Sequence, residues 1–249
     1  MVAHKVRLRF AKRGDLRLVS HHDLLRCVER LLRRAALPMA HSQGFNPRPR
    51  IVFPLALALG IEGRREVVEL ELAEPSDPLE VLGRLAAASP PGLDWLEAEA
   101  VGPGRPPKVG AARYSLVVPP GRREAARAAI DRLLASDRWP YSRRRPDRTV
   151  EADLRPFVLA AALDDDDTLR LRLRVAPDGS ARPEEVVEAL GLRDLLEAGA
   201  VLVRDDVELD IPTAAPPAGG RPNPRIEPES EPEPNNPIAS ATATERSLA

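Results

Sequence analysis

Lys5-Val6-Arg7-Leu8-Arg9-Phe10 alternates charged and apolar residues with period two, the pattern of a half-buried strand with Val6, Leu8 and Phe10 on the core side. Gly14 and Asp15 then mark a turn, and Ser20-His21-His22-Asp23 opens a helix. Ser20 is a good N-cap, and Asp23 stands at the capping-box position and complements the positive end of the helix dipole. Leu24, Leu25, Val28, Leu31 and Leu32 recur at helical spacing, with Arg26, Glu29, Arg30, Arg33 and Arg34 on the other face, until Pro38. Residues 39–42 read as a second strand, 51–59 as an apolar segment interrupted by Pro54, and 66–72 as a third alternating strand. Asp77 as N-cap and Pro78 at the first helical position start a second helix over 79–88, and 93–101 is a fourth strand. The order β-α-β-β-α-β is that of a ferredoxin-like domain.

Gly102-Pro103-Gly104-Arg105-Pro106-Pro107 reads as a linker, and beyond it the same order begins again. Strands are expected at 114–118, 150–154, 169–175 and 201–209, with helices at 122–134 and 183–190. Residues 157–163 are a further candidate strand, pairing with 169–175 across the turn at 164–167. The expected fold is α+β: tandem ferredoxin-like halves over 1–101 and 111–211, joined by a linker at 102–110. Residues 212–249 are rich in Pro, Glu, Ala, Ser and Thr with few large apolar side chains, so this tail is expected to be disordered.

The chain has 249 residues, 43% hydrophobic and 30% charged, with aromatics at only 3%, so its core must be aliphatic. No apolar run of about twenty residues occurs, which excludes a membrane-spanning helix and implies a cytoplasmic protein. Cys27 is the only cysteine, so the chain forms no internal disulfide and no three-cysteine cluster. The formal net charge of −1 conceals a strongly basic first fifth. A second cluster, Arg138, Arg143, Arg144, Arg145 and Arg148, surrounds Trp139 and Tyr141, a mixture suited to phosphates and stacked bases.

His41-Ser42-Gln43-Gly44-Phe45-Asn46-Pro47-Arg48-Pro49-Arg50 is a loop that no core element would use. Gly44 admits positive φ, while Pro47 and Pro49 fix their own φ and extend Asn46 and Arg48, so Ser42, Gln43, Asn46, Arg48 and Arg50 form a shaped polar surface. A rigid loop with donors and positive charge suits an anionic or polar ligand; the alternative is a plain connection with surface arginines. Arg155, in Asp153-Leu154-Arg155-Pro156, either joins Arg143, Arg144 and Arg145 in an anion-binding surface or makes a structural salt link. His21, at a helix start where the dipole lowers imidazole pKa, is either a base in an RNA-cleaving reaction or a solvated or core-satisfied histidine. No His pair at i,i+4, phosphate-cradling motif or nucleophile elbow occurs.

Arg7-Leu8-Arg9-Phe10 with Lys12, Gly14-Asp15-Leu16-Arg17, Ser20-His21 with Asp23, Leu37-Pro38, Ser42-Gln43-Gly44-Phe45-Asn46-Pro47 with Pro49, and Leu59-Gly60 before Glu66 together resemble the radical-SAM-linked (radical-SAM-associated) proteins, a bacterial domain family. The resemblance covers residues 2 to 210. It implies a radical SAM protein as partner, fused or encoded beside the chain, and brings no catalytic residue with it. SAM and the [4Fe-4S] cluster are expected in that partner, because a radical generator needs three cysteines and this chain has one. The chain is then expected to be a non-catalytic accessory protein that presents a substrate, RNA, without membrane contact. An RNA-processing or RNA-modifying enzyme using His21, and a purely protein-binding adaptor, are the alternatives.

Overall fold

A computed structural model of the chain describes residues 4–144, 147–176 and 179–210. Its first strand, β1 (His4–Lys12), buries Val6, Leu8 and Phe10 as the alternation requires. Helix α1 (His21–Arg34) begins at Ser20, whose hydroxyl accepts the Asp23 N–H at 3.2 Å, and buries the stripe Leu24, Val28, Leu31 and Leu32. Strands β2 (Ile51–Val52) and β3 (Glu62–Leu72) precede α2 (Pro78–Ala88), which Asp77 caps by accepting the Leu79 N–H at 3.0 Å. Strand β4 (Leu93–Val101) follows, and β5 (Lys108–Val117) begins inside the stretch expected to be linker.

The remaining elements are α3 (Arg123–Ala135), β6 (Pro140–Arg144), β7 (Thr149–Asp153), β8 (Val158–Leu163), β9 (Thr168–Ala176), β10 (Gly179–Ser180), α4 (Pro183–Ala189), α5 (Arg193–Glu197) and β11 (Val203–Asp210). Nine strands share one mixed sheet, ordered β10-β9-β5-β11-β3-β1-β4, with β2 against β3 and β8 against β9. Leu8, Leu31, Leu70 and Leu85 belong to one apolar core and Leu116, Leu133, Leu171 and Val186 to another. The sheet passes between the two cores through a short parallel contact, Val203 with Glu62 and Arg204 with Gly63.

Two expectations are corrected. Residues 39–42 form no strand; they make single bridges, Met39 to Leu72 and His41 to Pro49, and the ladder partner of β3 on this side is β2. Prolines at 38, 47 and 49 remove the N–H groups that a longer ladder needs. Residues 150–154 do not enter the main sheet, because β7 pairs with β6 in a separate hairpin. The further candidate strand at 157–163 is β8, paired with β9 as expected, and Asp167, at φ 64, closes the turn between them. Finally, Gly191 at φ 74 ends α4 and a second short helix, α5, follows, which the apolar spacing did not announce.

The expected tail at 212–249 lies outside the described residues, as does Arg145. Among the described residues no helix is long and apolar enough to cross a membrane.

Candidate functional site

The loop at 42–50 is closed at its base. The Ser42 N–H donates to the Arg48 carbonyl at 2.9 Å, and the Arg48 N–H donates to the Ser42 hydroxyl at 3.0 Å. Below this pinch, Arg50 N–H donates to the Ala40 carbonyl at 2.9 Å, and Glu71 N–H to that of Arg50 at 3.1 Å, so the loop stands on the end of β3. Gly44 adopts φ 132, a region costly for a residue with a Cβ. Phe45 at the tip is fully exposed, at 106%. Burying such a ring is worth about 1.5–3 kcal/mol, so holding it in water on a pinned loop forgoes a real gain. Gln43, Asn46 and Arg48 are exposed beside it, and the Arg48 side chain has no ion-pair partner among the described residues. Arg50 is partly neutralised by Glu71 at 3.2 Å.

A second polar group lies midway along β3, at Glu66, about 17 Å from Glu71 along the strand. Glu66 and Arg204, both almost wholly buried, meet where β3 touches β11. The Arg204 Nε donates to Glu66 at 2.8 Å and its Nη2 to the other carboxylate oxygen; Nη1 donates to the Ala56 carbonyl at 3.0 Å. Burial pulls the guanidinium pKa down, but the charge and hydrogen bonds of Glu66 outweigh it, and the net shift is upward. Lys12 is fully buried nearby, donating to the Val19 carbonyl at 2.7 Å. The three charges leave one positive charge in excess.

Burial lowers the Lys12 pKa, Glu66 partly opposing and Arg204 reinforcing the shift. The folded chain therefore sheds this proton more easily than the unfolded one, so stability rises with pH through the window up to the ordinary lysine value of about 10.4. Lys12→Met abolishes that contribution. In urea unfolding over a pH series, the wild type is expected to gain on Lys12→Met as pH climbs toward that value; a constant difference would contradict it.

His21, the catalytic alternative, borders this group. Its ring packs edge-on against Phe53, with centroids 5.3 Å apart, and its Nδ1 is buried with no hydrogen-bond partner among the described residues. Burial, then the charges of His22, Lys12 and Arg204, lower its pKa, so it is neutral near pH 7. The adjacent Ser20 hydroxyl is taken up by the Asp23 carboxylate at 2.7 Å.

The expected anion surface of the second half is placed differently. Arg143 donates from Nε and Nη2 to Glu185, both at 2.6 Å, and from Nη2 to the Ser180 carbonyl at 3.0 Å. Arg155 donates to the carbonyls of Ser136 at 3.0 Å, Leu134 at 3.3 Å and Val158 at 2.9 Å, which fastens the end of α3. Trp139 and Tyr141 pack against the second core, and the Tyr141 hydroxyl donates to Glu188 at 2.9 Å. Arg144 occupies the last position of β6, opposite Thr149. The sheet face bearing Arg7, Arg9, Arg65, Arg113 and Arg172 is laced with ion pairs, such as Arg7–Glu69 at 2.9 Å and Arg172–Glu208 at 2.6 Å.

Phe45 and the Lys12–Glu66–Arg204 group were missed in the sequence, although two of the latter left a signal. Lys12 continues the parity of Val6, Leu8 and Phe10, and Glu66 that of Val68, Leu70 and Leu72; a charge on the apolar face of a strand marks a buried polar contact. Among the described residues, no three His, Cys, Asp or Glu side chains gather as a metal site would require.

A family model described as "Uncharacterized protein conserved in bacteria (DUF2344)" matches residues 5–183. No curated protein matches the chain. Among solved structures, one titled "Crystal Structure of an Unknown Protein from Galdieria sulphuraria" is 13% identical over 84% of this chain and 99% of that one, at a TM-score of 0.26.

Proposed function

The chain belongs to the DUF2344 family, and we propose that it is a non-catalytic accessory protein that binds RNA and presents it to a radical SAM enzyme, the partner implied by the sequence resemblance. That partner supplies SAM and the [4Fe-4S] cluster. We read the two strand sets, β4-β1-β3-β2 and β11-β5-β9-β8, as ferredoxin-like halves that hold the loop at 42–50 rigidly at one end. The observation that carries the proposal is this loop. Ten residues from His41 contain two arginines and no carboxylate, and the pinned base projects an aromatic, two amides and a guanidinium into solvent. Single-stranded RNA is held by such a combination of stacking, amide and phosphate contacts.

If Arg48 contacts a phosphate, Arg48→Ala weakens binding to all sequences alike and flattens the salt dependence by about 0.7 for a single strand. Filter binding of short mixed-sequence RNA across a salt series measures both. Unchanged affinity and slope in the folded variant would reject this contact. A protein-binding adaptor is the second reading, favoured by the pairing of arginine with carboxylate over the sheet, which leaves little free charge for phosphate there. In that case the wild type itself shows no salt-dependent RNA binding.

A further inference from the structure

We propose that Phe45 is a stacking platform for one unpaired nucleobase, so that the RNA taken by this loop is single-stranded and its key contact is aromatic. This rests on the RNA reading above and names the form of RNA that the site takes. Three features of the loop point to it. Phe45 is fully exposed, while the Ser42–Arg48 hydrogen bonds at 2.9 and 3.0 Å close the loop that carries it, so part of the backbone ordering cost of binding is met before a ligand arrives. Gly44, at φ 132, has no atom within 4 Å of where a Cβ would stand, so the approach to one side of the tip is open. The immediate neighbours are Gln43, Gly44, Asn46 and, past Pro47, Arg48, with no second apolar side chain between His41 and Arg50 other than prolines.

That last feature decides between a base and a protein pocket. A protein interface builds an apolar centre from several side chains within a patch of about 800 Å² per partner. Here none of the other large exposed apolar side chains lies within the loop; Leu18 and Leu59, for example, neighbour each other instead where the Gly60 N–H donates to the Arg17 carbonyl at 2.8 Å. One isolated ring flanked by amides and a guanidinium instead matches the needs of a nucleotide. The ring takes the base face, the amides can meet its polar edge, and the guanidinium can meet a phosphate. A base inside a duplex shows no free face, so double-stranded RNA cannot use the ring.

The test compares wild type, Phe45→Leu and Phe45→Trp against short single-stranded oligoadenylate and oligouridylate and against duplex RNA, with thermal melts confirming the fold. Phe45→Leu keeps an apolar tip but loses the flat ring, and is expected to weaken single-strand binding about tenfold without altering the salt slope. Phe45→Trp is expected to bind as the wild type does, and the fluorescence of the introduced indole to be quenched by the oligonucleotide. Equal binding by Phe45→Leu and wild type, with a normal salt slope, would overturn the stacking role and leave RNA binding standing. Equal affinity for duplex and single strand would overturn it too. Absence of RNA binding by the wild type at low salt would remove the RNA reading itself. If Phe45→Leu instead lost a co-purifying protein while its RNA affinity stayed unchanged, the ring would belong to a protein pocket and the proposal would fall.

Discussion

Replacing Arg204 by Met is expected to cost the fold about 3–5 kcal/mol, because Glu66 is then left as a buried carboxylate without its partner. The same change frees the Ala56 and Leu55 carbonyls that Arg204 holds at 3.0 and 3.3 Å, so the segment linking β2 to β3 loses its fastening as well. Glu66→Leu combined with Arg204→Met is expected to recover part of the loss, since an apolar pair of similar volume can replace a buried ion pair at little cost. The recovery is incomplete, because Lys12 is still buried and no longer has Glu66 to oppose its charge. Adding Lys12→Met is therefore expected to raise stability further. Urea unfolding of the series reads this as a non-additive cycle. Additive losses would show that the three groups do not act together.

The course of the chain through the first half was legible because local signals agreed. The alternation of Val6, Leu8 and Phe10, the Ser20 cap and the Asp77-Pro78 start each specify an element without help from distant residues. Where the reading failed, the deciding contact was remote. Residues 150–154 alternate as a sheet strand would, but they pair with β6 outside the main sheet, while the candidate strand at 157–163 does pair with β9 across the turn at 164–167. The short turn at 164–167 announces the β8–β9 pair, whereas nothing within 150–154 says that its partner is β6. Likewise, the Arg204–Glu66 contact joins residues 138 positions apart, and no spacing rule reaches so far.

The candidate site divides along the same line. Gly44 in its unusual conformation and the exposed donors at Gln43, Asn46 and Arg48 follow from the residues of the loop itself. The roles of Arg143 and Arg155 do not. A run of arginines near aromatics looks the same in sequence whether the guanidinium groups face solvent or are consumed inside the fold, and only the positions of Glu185, Ser136 and Leu134 settle which.

Arg143→Met is accordingly expected to lower stability by about 3 kcal/mol, because its bidentate partner Glu185 is only 7% exposed and would keep as its cation only the Arg182 guanidinium, at 4.0 Å. Arg48→Ala, on an open loop with its guanidinium in solvent, is expected to stay within about 0.5 kcal/mol of wild type. The loss at Arg143 has a second source. Glu185 also accepts the Arg182 N–H at 3.0 Å at the start of α4, and a carboxylate no longer held by Arg143 is less well placed to do so. The reciprocal shift agrees: the Glu185 hydrogen bond, opposed by burial, raises the pKa of Arg143. The pair thus ties the β6–β7 hairpin to α4. Well below its unfolding midpoint, Arg143→Met should therefore bind RNA as the wild type does, whereas Arg48→Ala should bind more weakly while remaining as stable. The reverse result, an Arg143→Met protein of undiminished stability that no longer binds RNA, would mean that this guanidinium faces phosphate in solution and that the hairpin belongs to the binding surface.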